Sequence, residues 1–129
     1  MTEKTIKSNF GQFIFLDDHT VVAEASYGVN IDASKVQYAI ELIEKELLHD
    51  YAMILDRKAD YSIMPIEVYE YFNSRERLKA IAIIEYKKQS VLSGNLEQRI
   101  FKGVIEKFVS KDDAHAWINE LLKIKPKGQ

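Results

Sequence analysis

The chain has no cysteine, which excludes disulfides, thiolate zinc sites and cysteine nucleophiles outright. It also lacks any apolar run approaching the ~18 residues that a membrane-spanning helix needs. Neither sign of charge dominates, with 18 basic residues against 20 acidic ones. Non-specific nucleic-acid binding rests on a surplus of Lys and Arg over one face, and is not expected. Residues 1–9 are polar and contain no apolar segment like that of a secretory signal, so a soluble cytoplasmic protein is the expectation. The sequence shows no linker, internal repeat, Gly-rich phosphate loop or nucleophile elbow. It implies no cofactor.

What is present suits one α/β domain over residues 1–129, with a core over about 10–122 and 47% hydrophobic residues to build it. Residues 10–16 and 20–27 are β-rich runs separated by Asp17, Asp18 and His19, the spacing of a tight hairpin. Gly28 and Asn30 break the second run. Asp32 or Ser34 caps a helix reaching about residue 49, with Val36, Ile40, Ile43 and Leu47 on one face. Residues 51–55 read as a buried strand ending in Asp56. Pro65 suits the first turn of a second helix, closed by Asn73 and Ser74, with Ile66, Tyr69 and Phe72 inward. Residues 78–86 form the next strand. Leu92, Leu96, Ile100 and Val104 recur at helical spacing over 90–104, and residues 105–109 make a last strand. Ala114, Trp117, Ile118 and Leu121 mark an amphipathic helix over 111–124, and the tail 125–129 is expected to fray.

The expected architecture is an N-terminal β-hairpin followed by βα units, giving a mixed, mostly parallel five-stranded sheet with four helices. Strands in chain order with right-handed crossovers place three helices on one face. Residues 52–55 and 80–84 are nonetheless apolar on both faces, and a parallel strand needs both covered. The second face therefore requires a cover: the last helix, an N-terminal segment, a partner chain or an apolar ligand.

Two segments carry a resemblance. One runs from Ile54-Leu55-Asp56-Arg57 to Ser62-Ile63-Met64-Pro65-Ile66-Glu67; the other is Phe108-Val109-Ser110-Lys111-Asp112-Asp113-Ala114-His115-Ala116-Trp117-Ile118. With the hairpin-first order, they resemble the STAS-like fold of sporulation anti-anti-sigma factors and sulphate-transporter tails, and especially its uncharacterised bacterial SpoIIAA-like branch. The resemblance implies a non-catalytic regulatory or scaffold module. In the anti-anti-sigma members a phosphorylatable serine sits where the chain turns into the helix after this strand. Ser62 is the nearest match by position, but the Ser-Gly-Leu-Gly signature is absent. Some lipid-transfer domains share the general architecture.

A phosphate on Ser62 would meet acidic neighbours, Asp56, Asp60 and Glu67, offset by Arg57 and Lys58; the plainer reading is a turn serine bonding local backbone. Asp17, Asp18 and Asp56 invite comparison with receiver domains, but residues 17–20 leave room for a turn and not for a helix. His19, His49 and His115 match no zinc spacing, and His49 is explained by a helix C-terminus. Tyr61, Tyr69, Tyr71 and Tyr86 fall near the carboxyl ends of the parallel strands, where open α/β sheets bind ligands. They rim either a pocket or the core boundary.

Three functional readings follow. The first is a module binding a protein partner or its own copy through the incompletely covered face or the junction at Asp56, Arg57, Tyr61, Ser62 and Tyr86. The second is a domain binding an apolar small molecule or lipid under the helices. The third is an enzyme with a site around Asn30, Asp56, Ser62 and Tyr86. A closed apolar cavity favours the second, and a flat two-fold contact the first.

Overall fold

The two β-rich N-terminal runs form the expected hairpin, β2 (Gly11–Phe15) and β3 (Thr20–Ala25). The computed structural model describes residues 3–58, 62–86 and 91–122, with the backbone alone for 91–95. It places a further strand ahead of the hairpin. β1 (Lys4–Ser8) pairs antiparallel with β2, from Lys4 opposite Phe15 to Ser8 opposite Gly11. The sheet is therefore six-stranded rather than five-stranded. Ile6 packs on the core from β1, while Lys4 and Lys7 belong to an edge where charge discourages further pairing. Such a strand has too little apolar alternation to be read. A methyl group on Gly11 would meet the Glu24 carbonyl oxygen at 2.3 Å, so the β2–β3 approach requires glycine.

β3 pairs parallel with β5 (Tyr51–Asp56), β5 with β7 (Leu78–Ile84) and β7 with β8 (Val104–Phe108). The order β1-β2-β3-β5-β7-β8 is chain order, as expected. A second, two-stranded sheet joins β4 (Asn30–Ile31) to β6 (Ser62–Ile63) in parallel. Asn30 thus begins a strand as well as ending the loop that follows β3.

The helices are α1 (Ala33–Glu46), α2 (Pro65–Asn73), α3 (Val91–Ile100) and α4 (Lys111–Leu121). Asp32 caps α1, accepting from the Lys35 amide at 3.1 Å, and Glu67 of α2 accepts from the Ala33 amide at 3.1 Å. Val36, Ile40, Ile43 and Leu47 are all buried, as their spacing predicts. In α2 the inward stripe is Val68, Tyr69 and Phe72, and Ile66 is exposed. α3 departs further from expectation. Leu96 faces solvent and Glu97 is buried, because Arg57 and Tyr69 both donate to the Glu97 carboxylate. Val104 belongs to β8.

Core residues of α1 and α2, with Ile100 and Phe101 at the end of α3, pack on one face of the sheet. The other face is covered by α4. Ala114 and Ile118 pack on Val22, Ala52, Ile54, Ala80, Ala82 and Ile84, flanked by Phe108 and Trp117. Ala52 and Ala80 stand side by side in register, so short side chains floor the contact and let the helix lie close. Ser110 caps α4, accepting from the Asp113 amide at 3.1 Å, and Asp112 and Asp113 complement its dipole. The sheet face that the sequence left open is closed by the chain's own last helix. Residues 123–129, including the end expected for this helix and the tail, lie outside the described residues.

Candidate functional site

Short side chains decide where the helical face fails to close. Gly11, Ala23, Ala25 and Ala39 leave a gap between α1 and the sheet, which Phe10, Phe13, Val36, Ile40, Met53 and Leu55 line with apolar surface. The small sheet contributes Ile31 and Ile63. The enclosed part of the cleft is small, about 70 Å³, below the span of drug-sized sites, and the rest of the hollow opens to solvent. Phe10 stands edge-on to Phe13 and to the half-exposed Tyr38, with ring centres at 6.4 and 6.0 Å. Two charged residues line it, Lys35 and Glu24. The Glu24 carboxylate is already engaged by Gln12 at 2.7 Å and Lys111 at 3.1 Å.

That engagement belongs to a polar cluster at the carboxyl edge of the parallel strands. Glu24 and Asp56 are register partners on β3 and β5. Lys111, at the start of α4, lies 3.1 Å from both carboxylates. The Lys58 amide donates to Asp56 Oδ1 at 3.1 Å. Burial works against the charge of Glu24, but hydrogen bonds from Gln12 and Lys111 outweigh it and hold the carboxyl below its ordinary value. Burial likewise opposes the Lys111 charge, and the two carboxylates outweigh it, raising that group. Burial and then Asp56 push the Tyr86 phenol up. The cluster works as a latch between sheet and helix.

Of the residues singled out from sequence, Asp56 and Tyr86 therefore come together. Arg57 leads elsewhere, donating to the Glu97 carboxylate that also accepts from Tyr69. Ser62 is exposed in β6 and donates to Asn30 Oδ1 at 2.8 Å. Its position precedes α2, which starts at Pro65, so the serine stands off the helix N-terminus. Tyr61 lies outside the described residues.

Sequence reasoning missed Glu24 and Lys111, and also a histidine pair. His115 Nε2 lies 2.7 Å from Asp17 Oδ2, and His19 Nδ1 lies 3.1 Å from Asp17 Oδ1. His19 Nε2 lies 2.6 Å from Asn119 Oδ1. Lys111, His115 and Asn119 form an i, i+4, i+8 stripe on α4, and each meets the β2–β3 hairpin. That polar stripe was the available signal.

No family model matches this chain, and no curated protein does. Among solved structures it is similar to an uncharacterized protein of the DUF3478 family with a SpoIIAA-like fold, from Shewanella loihica PV-4. The TM-score is 0.52 at 13% identity, over 91% of this chain and 92% of that one. The chain has a SpoIIAA-like fold. At that identity the likeness speaks for the fold alone. Among the described residues no helix is long and apolar enough to cross a membrane.

Proposed function

We propose that the domain binds an apolar small molecule of the acyl-chain class in the cleft between α1 and the sheet, without catalysing a reaction on it. The observation that carries this reading is the apolar lining, interrupted by Lys35 and Glu24. Glu24 accepts from Gln12 and pairs with Lys111, whereas Lys35 meets Asp32 only at 3.6 Å. An acidic head group then pairs with Lys35 while the chain lies along Phe10, Val36, Ile40 and Leu55. α4 occupies the sheet face on which a partner was expected, so that face offers no docking surface. A regulatory module with a protein partner is the second reading, and it draws on the exposed Tyr27, Met64 and Ile66.

The test is a calorimetric titration with a short-chain fatty acid, sized to the small enclosed part of the cleft. Wild type binds saturably. Ala39→Trp fills the cleft and weakens binding about tenfold or more, while thermal unfolding shows it folded. Lys35→Met weakens the acid but leaves the corresponding alcohol unaffected. Equal binding by wild type and Ala39→Trp contradicts the proposal.

A further inference from the structure

Every partner recorded for the His19 ring is an oxygen. Nδ1 faces Asp17 Oδ1 and Asp18 Oδ1, each at 3.1 Å, and Nε2 faces Asn119 Oδ1 at 2.6 Å. A neutral imidazole donates through one nitrogen only. In the tautomer with Nε2–H directed at Asn119, Nδ1 of the buried ring turns a lone pair toward the partly exposed Asp17 and the exposed Asp18. A second proton or a metal cation at Nδ1 satisfies those oxygens. His115 approaches from the other side, with Nε2 2.7 Å from Asp17 Oδ2, so Asp17 stands between the two rings with one oxygen toward each. One ligand atom each from Asp17, His19 and His115 lies within 4.8 Å of the others. Tetrahedral bonds of about 2.0–2.1 Å place ligand atoms roughly 3.3–3.4 Å apart, so Asp17 draws back from the two ring nitrogens, now 2.7 and 3.1 Å from its oxygens, to admit an ion.

We infer that Asp17, His19 and His115 form a binding site for a late first-row divalent metal ion, with Zn(II) as its representative. Two imidazoles and a carboxylate suit zinc, nickel or copper, whereas Mg(II) and Ca(II) prefer oxygen alone. Asp18, exposed and already beside His19, or a water fills the fourth position. Asn119 supplies the outer acceptor that metal-bound histidines commonly have, fixing the tautomer that presents Nδ1. Asp17 and His115 are partly exposed, which gives an ion its entry. Asp17 and His19 belong to the β2–β3 turn, while His115 and Asn119 sit on α4. A bound ion therefore clips the N-terminal hairpin to the helix that covers the second face, and stabilises the fold by linkage.

The test uses the full chain after treatment with a chelator. Calorimetric titration with Zn(II) is expected to show one equivalent bound and a raised unfolding temperature, with Mg(II) giving neither. In the wild-type protein, the NMR signals of His19 Nδ1 and His115 Nε2 move on adding Zn(II). His115→Ala weakens binding about 100-fold or more, Asn119→Ala about 10–100-fold, and His49→Ala leaves it unchanged. Absence of saturable binding, loss in His49→Ala with retention in His115→Ala, or a doubly protonated His19 unmoved by Zn(II) overturns the site. The ring-nitrogen signals are read on wild type, so a variant that fails to fold does not remove the test.

Discussion

Asp56, the last residue of β5, and Lys111, the first of α4, meet at 3.1 Å on the carboxyl edge of the parallel strands. Asp56 is almost wholly buried and Lys111 is partly exposed, so the lysine brings a hydrated charge to a carboxylate that has left water. The same ammonium serves Glu24. One side chain thereby fixes the start of α4 over the sheet.

Removing that cation strands Asp56. Lys111→Met is expected to destabilise the fold by about 3 kcal/mol, the low end for breaking a buried pair, because one partner remains in contact with solvent. Adding Asp56→Asn to Lys111→Met should recover part of the loss. Denaturant unfolding of the two single variants and the double variant reads the coupling directly.

The close seating of α4 makes a second prediction. Ala82 lies under the helix with Ala52 and Ala80, and a larger side chain there has nowhere to go. Ala82→Leu should cost about 1–3 kcal/mol by overpacking. The exposed Leu96 tolerates Leu96→Ala with a change within about 0.5 kcal/mol. Both are measured by thermal or denaturant unfolding.

Acid sensitivity should trace in part to Glu44. Tyr51 donates to it at 2.8 Å and Arg75 at 2.6 Å, with Arg77 at 3.2 Å, tying α1 to β5 and to the residues that lead into β7. Burial opposes its charge, but the hydrogen bonds and the two arginines prevail, and the folded carboxyl titrates below its ordinary 4.5. A depressed carboxyl gives its full stabilisation above the unfolded value and loses it as pH falls through the folded value. Glu44→Gln should therefore be less stable than wild type near neutrality by roughly 1–2 kcal/mol. The gap should narrow as pH drops below about 4.5. Unfolding midpoints across pH check this, and Glu24 supplies an acid response that remains in the variant.

The sequence exposes those parts of the fold that depend on local periodicity. The α1 stripe of Val36, Ile40, Ile43 and Leu47, the hairpin at residues 17–19 and the apolar β5 and β7 runs each imprint a pattern of their own. β1 does not, because a lysine-bearing edge strand owes its place to backbone pairing with β2. α3 misleads for a different reason. Leu96 satisfies the helical period, yet Glu97 is buried by partners on other elements, Arg57 and Tyr69. Pairwise meetings such as Asp17 with His115 join residues far apart in the chain, so the polar stripe on α4 marks one partner and no spacing rule supplies the other. The cleft is harder still to foresee, since it arises where Gly11, Ala23, Ala25 and Ala39 happen to coincide in space.

The central claim is that the cleft beside α1 holds an apolar ligand. Native mass spectrometry of the protein purified from its own cells addresses it most directly. The account predicts a monomer carrying one retained small molecule, released on denaturation and extractable into organic solvent, with Ala39→Trp recovered empty. A ligand-free chain recovered as a stoichiometric dimer or bound to another protein would contradict it.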